Sequence, residues 1–159
     1  MMSADSNQRD VPGVIAPPPL ILLGHVLLGF ALDWLWPAPF LPAAAQYALG
    51  AALIVSAGAL AGGAIACFLR AGTNVPTRRP ATALVVAGPY RVSRNPIYVG
   101  MILLLLGIGV MVDSLWILAL AAPFAVILRY GVIAREERYL EAKFGDSYRA
   151  FRQGVRRWI

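Results

Sequence analysis

Residues 96–134 read PIYVGMILLLLGIGVMVDSLWILALAAPFAVILRYGVIA, and only Asp113 and Arg129 in this stretch carry charge. Asp113-Ser114 divides it into two apolar halves, each close to the ~20 residues that cross the hydrocarbon of a bilayer. Lipid offers no hydrogen bonds to a bare backbone, so such halves are helices. The stretch predicts a third span over 97–112 and a fourth over 115–134, joined as a tight helical hairpin. Pro96 suits the first turn of the third helix, where its missing N–H costs nothing.

The rest of the chain fits the same solvent. Hydrophobic residues make up 59% of its 159 residues and charged ones 14%, against about 25% charged in a soluble domain. A first span is expected over 18–36, closed by Asp33-Trp34-Leu35-Trp36-Pro37, an interfacial aromatic belt followed by a helix stop. The linker 37–42 has three prolines and no charge. A second span over 43–69 is rich in alanine and glycine, with Gly58 and Gly62 as a small-xxx-small pair and Ala59 and Gly63 one step on. Such a row admits a close helix neighbour, within the chain or in a second copy. Residues 1–17 are expected to be a mobile lead-in. They lack the basic n-region and Ala-x-Ala site of a signal peptide. The fold expected is an all-α membrane protein, one domain over 18–159 with four transmembrane helices, a long cytoplasmic loop (70–96) and an amphipathic helix in the tail (135–159).

Charge sets the orientation. Arg9 is the only basic residue before Arg70, and neither 37–42 nor 113–114 has any. The loop carries Arg70, Arg78, Arg79, Arg91 and Arg94, and the tail seven more basic residues from Arg135 to Arg157. The positive-inside rule puts the loop and both termini in the cytoplasm, beside anionic lipid. A net charge of +6 distributed this way does not indicate nucleic acid. Lys143 is the only lysine, an arginine bias that, with abundant alanine, fits a bacterial GC-rich coding style; the expected location is the bacterial inner membrane. One cysteine, Cys67, and one histidine, His25, make no disulfide, zinc set or Ser-His-Asp triad. Cys67 reads as a small buried residue and His25 as a hydrogen-bond partner within the spans.

Chemistry is expected at the cytoplasmic face. The 70–96 loop exceeds the ~12–15 residues usual for a structureless connection. Its Gly88-Pro89 is a turn signal, after which Tyr90, Arg91, Arg94, Asn95 and Tyr98 gather near the membrane surface. In the tail, Val132, Ile133, Leu140 and Phe144 form one helical stripe into which Glu136 falls, with Glu137 beside it. A buried carboxylate needs a cation or donors. Arg91 or Arg94 can supply a plain structural ion pair, or the carboxylate can hold a ligand. Gly145-Asp146 ends this helix, and a second short one presents Tyr148, Phe151 and Val155 to bilayer or core.

Four runs in this order, Gly88-Pro89-Tyr90-Arg91, Ser93-Arg94-Asn95-Pro96-Ile97-Tyr98, Arg135-Glu136-Glu137-Arg138-Tyr139-Leu140 and Phe144-Gly145-Asp146-Ser147-Tyr148-Arg149, resemble the isoprenylcysteine carboxyl methyltransferase family. That family is grouped with the bacterial phospholipid N-methyltransferases. The resemblance covers residues 70–157. It implies an S-adenosylmethionine pocket between the last two spans and the tail, and a lipid or isoprenoid-like substrate entering from the bilayer. Residue by residue it implies cofactor binding by Gly88, Tyr90, Arg91, Asn95, Pro96, Tyr98, Glu136 and Glu137, with Arg94, Asn95 and Glu136 at the reacting centre and no metal. The family's Arg-His-Pro is Arg94-Asn95-Pro96 here. Asparagine keeps the hydrogen bonding but cannot carry a proton near neutral pH.

The residues suit that cofactor. Arg91 or Arg94 matches its carboxylate through paired hydrogen bonds, Glu136 or Glu137 its ammonium, and Tyr90 or Tyr98 its sulfonium or adenine. A carboxylate acceptor needs no general base at pH 7, which favours carboxylate O-methylation over phospholipid N-methylation. No Gly-x-Gly-x-x-Gly follows a strand, so a soluble dinucleotide-fold methyltransferase is excluded. Gly107-Ile108-Gly109, inside the third span, reads first as a packing element. The competing classes are a membrane reductase of the sterol-reductase type and a non-catalytic membrane interaction protein.

Overall fold

The computed structural model describes residues 11–75 and 79–159, and among these all regular structure is helical. Helix α1 (Pro18–Leu35) opens with proline in its first turn, and α2 (Ala43–Arg70) follows the Pro-rich linker. A 3-10 turn over Gly88–Arg91 precedes α3 (Pro96–Met111). Then come α4 (Leu115–Ile127), a π-helical segment (Leu128–Ile133) and α5 (Ala134–Gly154). Among the described residues, three helical runs are long and apolar enough to cross a membrane: Pro18–Leu35, Ala43–Arg70 and Leu115–Gly154. Helix α3 is apolar but has 16 residues, a length of ~24 Å against a hydrocarbon core of ~30 Å.

The expected hairpin is present: its first arm, α3, has the length expected for 97–112, and its second arm continues past 134 to Gly154. Asp113 sits at φ 57° in the turn, and the Ser114 hydroxyl caps α4 by accepting the Ile117 N–H. Asp113 Oδ1 also accepts the N–H groups of Phe40 and Leu41, each at 2.9 Å, tying the 37–42 linker to this turn. At its other end α4 runs through the wide π turn directly into α5. The backbone stays continuous because each N–H still finds an acceptor, one residue further back.

Helix α2 packs along α3, α3 on α4, and α4 on α1. Between α2 and α3 the spacing is set by glycine: a Cβ at Gly107 would lie 3.1 Å from the Ile54 backbone nitrogen, and one at Gly50 2.9 Å from the Met111 backbone. Gly58 and Gly62 have open space around them; the pair that the sequence marks for close packing is not on the face that packs. That face runs through Gly50, Ala57, Ala64 and Phe68, all buried. The position of Gly107 and Gly100 on α3 decides this, since a helix approaches where both surfaces are small. Gly109 packs against Ile117 and Leu118 of α4. His25 Nδ1 lies 2.8 Å from the Ile21 carbonyl and its ring leans on Phe124.

Residues 11–17 lie against the α4–α5 junction. The Ile15 N–H donates to the Gly131 carbonyl at 3.2 Å, and Arg135 donates to the Gly13 carbonyl at 2.7 Å. Two apolar clusters result, one around Leu105, Ile117, Phe124 and Leu128, and one around Ala64, Phe68, Val85 and Tyr90. The second forms the floor of the site.

Candidate functional site

The 70–96 loop is laid down by a few polar anchors. Gly72 (φ 61°) turns the chain out of α2. The buried Thr73 hydroxyl accepts the N–H groups of Thr82 at 2.8 Å and Ala83 at 3.2 Å. Asn74 donates to the Pro80 carbonyl, and the Ala81 N–H donates to the Tyr139 hydroxyl of α5. Val75, Ala81, Ala83, Leu84 and Val85 thereby form one apolar wall; Arg78 lies outside the described residues. Gly88 (φ 60°) begins the 3-10 turn directly over Cys67, whose sulfur would stand 2.8 Å from a Cβ there. The turn drops Tyr90 inward, edge-on to Phe68 at 5.5 Å.

The other wall is α3 and α5. Tyr98 donates to Glu136 Oε1 at 2.7 Å, both groups buried. Glu137 receives Arg157 through two hydrogen bonds, from Nε at 3.0 Å and Nη2 at 2.7 Å. Arg94 Nη1 approaches Glu137 at 3.3 Å, and its side chain is 8% exposed. That approach is an ion pair without hydrogen-bond alignment, and buried Nε and Nη1 of Arg94 have no hydrogen-bond acceptor among the described residues. Such a guanidinium costs free energy where it stands unless an acceptor meets it.

Two tyrosines border this group. Burial, then the nearby Glu136 charge, pushes the Tyr90 hydroxyl well above the usual phenol range. Burial and the Glu137 charge push Tyr148 up to about 12, against the pull of Arg94. Both stay protonated across the physiological range. Tyr148 reaches the site because α5 breaks at Gly145 (φ 52°, ψ −122°), a conformation open to glycine only. Past the break, Tyr148 and Phe151 turn toward the cleft.

A segment at 155–159 then crosses the start of α3. The Arg94 N–H donates to the Arg156 carbonyl at 2.9 Å. The Arg157 carbonyl accepts from Asn95 Nδ2 at 2.9 Å and from the Ser93 hydroxyl at 3.4 Å. Trp158 packs on the larger apolar cluster.

The result is a partly open cleft between the 70–96 loop, α3 and α5, lined by apolar side chains around a small set of charged and hydroxyl groups. Of the residues singled out in the sequence, Tyr90, Arg94, Asn95, Tyr98, Glu136 and Glu137 converge on it. Gly88 and Arg91 are exposed on the outer side of the 3-10 turn, and Pro96 is buried behind the wall; none of the three lines the cleft. The cation beside the carboxylates is Arg94, joined by Arg157, which no sequence pattern had marked. Tyr148 and Phe151 were legible as an inward face, though not as site residues.

Comparison with known proteins gives the same region a lineage. The family model described as phospholipid methyltransferase matches residues 45–147. An uncharacterised protein of Haemophilus influenzae is 56% identical over 36 residues, 23% of this chain and 57% of that protein. The cobalt-zinc-cadmium resistance protein CzcN of Cupriavidus metallidurans is 37% identical over 68 residues, 43% of this chain and 32% of its own length. The chain thus spans less than two thirds of either relative. No solved structure matches it. The family match runs from the start of α2 into α5, more than half of the chain, and takes in both walls of the cleft: the chain belongs to the phospholipid methyltransferase family.

Proposed function

We propose that this protein is an integral membrane methyltransferase that takes S-adenosylmethionine in the cleft and methylates a lipid-like acceptor reaching it from the bilayer. The observation that carries this reading is the buried Arg94 guanidinium, whose Nε and Nη1 have no hydrogen-bond acceptor among the described residues, facing the same cleft as the buried carboxylate of Glu136. A zwitterionic amino-acid end has the complementary pair of charges. When bound, the cofactor supplies a sulfonium-activated methyl group.

The chain's own residues do the rest. Arg94 holds the carboxylate end by paired donors. Glu136, fixed in place by the Tyr98 hydroxyl, receives the ammonium. The ring faces of Tyr90 and Phe68 offer an aromatic surface for a cation. Val75, Leu84, Val85, Ile97 and Leu140 keep water from the reacting centre. Methyl transfer is an in-line displacement, so holding the two partners in line supplies most of the rate. Glu137 belongs to the frame, through Arg157.

We read the acceptor as a carboxylate of an isoprenoid-like or lipid amphiphile. That nucleophile is ionised at neutral pH and asks no proton of the site, whose lining includes no histidine. Topologically we assign α3 as a fourth crossing, short and seated beside α2, with the cleft at the cytoplasmic end. The inner membrane of a bacterium suits this arrangement.

The test is incubation of membranes from producing and deletion cells with methyl-tritiated S-adenosylmethionine, followed by lipid extraction. Label in lipid, released as methanol by mild base, is the expected result. Base-stable label would replace the carboxylate with an amine acceptor. Purified protein that binds NADPH and not S-adenosylmethionine would overturn the methyltransferase assignment.

A further inference from the structure

We infer that Arg157 is a positioning residue: it occupies Glu137 so that Arg94 stays available to the anionic end of the ligand. This rests on the assignment of the cleft to S-adenosylmethionine and goes beyond it, because Arg157 does not line the cleft.

Two guanidinium groups compete for one carboxylate. Arg157 holds Glu137 with both of its aligned donors, at 3.0 and 2.7 Å. Arg94, 8% exposed, comes no nearer than 3.3 Å and makes no hydrogen bond through Nε or Nη1 among the described residues. A carboxylate and a guanidinium that meet fork to fork form two parallel bonds, and Arg157 already has that geometry. Remove it, and the buried Arg94 is the nearest cation able to take its place. Arg94 would then be spent on Glu137, and the cleft would lose its anion receptor while keeping every residue that lines it.

The backbone around Arg157 holds it to this task. Its carbonyl is pinned by Asn95 Nδ2 and the Ser93 hydroxyl, and the preceding carbonyl by the Arg94 N–H. One short segment therefore fixes the backbone of Arg94 and supplies the competitor for its charge partner. Asn95 acquires a role from this geometry: its amide binds the segment that carries Arg157.

The experiment compares binding of S-adenosylmethionine and decarboxylated S-adenosylmethionine to purified protein in detergent, by calorimetric titration. The ratio of the two dissociation constants reads the anion receptor alone. Wild type is expected to prefer the carboxylated ligand by about tenfold or more, the size of a charged hydrogen bond. Arg157→Met should reduce that preference to about threefold or less, with the decarboxylated ligand bound as before. Arg157→Met combined with Glu137→Gln should restore it, since a neutral amide no longer captures Arg94. Thermal unfolding accompanies each titration, and Arg157→Lys, with one point donor in place of a fork, should give an intermediate ratio if the methionine variant does not fold. A full preference retained in Arg157→Met or Arg157→Lys overturns the inference and leaves the site assignment standing. A wild type that binds neither ligand, or both equally, overturns the assignment of Arg94 and the inference with it.

Discussion

Glu136 and Glu137 are neighbours in the chain with different partners, and the difference separates their roles. Glu136 is bound by a tyrosine hydroxyl in the cleft; Glu137 is held between two guanidinium groups. Glu136→Gln is therefore expected to weaken S-adenosylmethionine binding by ~1–3 kcal/mol, the worth of a charged hydrogen bond, with thermal unfolding little changed. Glu137→Gln should lower the unfolding temperature as well, because it leaves Arg157 and the 155–159 segment without their anchor. Equal unfolding of both variants, with no selective binding loss in Glu136→Gln, would return Glu136 to the structural frame. Asn95→His is expected to change cofactor affinity by ~1 kcal/mol or less, since an imidazole N–H can replace the amide donor. Turnover measured against pH checks this: a revertant more than about tenfold faster, titrating near ~6.5, would mean that a proton is moved at this position. Tyr148 gives a third residue-scale outcome. Its hydroxyl is pushed up to about 12, so the folded state holds that proton more tightly than the unfolded chain does. The stability linked to it is complete below pH ~10 and is lost as pH rises toward about 12. Alkaline unfolding should begin at higher pH in Tyr148→Phe.

At the scale of elements, the α2–α3 contact and the break in α5 are the two features that place the cleft. The first depends on Gly107, where an added side chain meets the Ile54 backbone at 3.1 Å. Gly107→Val should destabilise the protein by ~1–3 kcal/mol, the usual cost of overpacking. Gly58→Val, facing open space, should stay within ~0.5 kcal/mol. Thermal unfolding in one detergent compares the pair; equal losses would place the packing face on the wrong row of α2. The π segment matters for a different reason. Its wide turn at Leu128–Ile133 resets the rotation of α5 relative to α4. Gly131 in its middle leaves room for Ile15, which donates to the Gly131 carbonyl. Sequence periodicity cannot show such a segment, because one extra residue in a turn leaves no mark in composition.

For the molecule as a whole, the expected arrangement is four crossings with both termini in the cytoplasm. Alkaline phosphatase joined within 37–42 or after Ser114 should be active in the periplasm, and joined after Ile159 it should be inactive. An active fusion at Ile159 would reverse or uncouple the last crossing. The linker and the hairpin turn also belong on one side because they touch: Asp113 binds the N–H groups of Phe40 and Leu41, and Trp116 donates to the Trp36 carbonyl at 2.6 Å.

By itself the sequence determined the solvent, the helical class and the hairpin, because apolar run length and the backbone's need for hydrogen bonds leave lipid few alternatives. It also determined the turn at Gly88, where a side chain would meet the Cys67 sulfur, and the break at Gly145, whose angles suit glycine. It brought Tyr90, Arg94, Asn95, Tyr98, Glu136 and Glu137 to one end of the molecule through a matched set of short runs. Tertiary structure alone decided which of the candidate cations meets the carboxylates, which face of α2 packs, and that Arg157 completes the site. Those outcomes depend on distances between segments far apart in the chain, such as the 62 positions between Asn95 and the Arg157 carbonyl it binds. Contacts at such separation are set by how close two surfaces can come, and no local pattern of residue types encodes that distance.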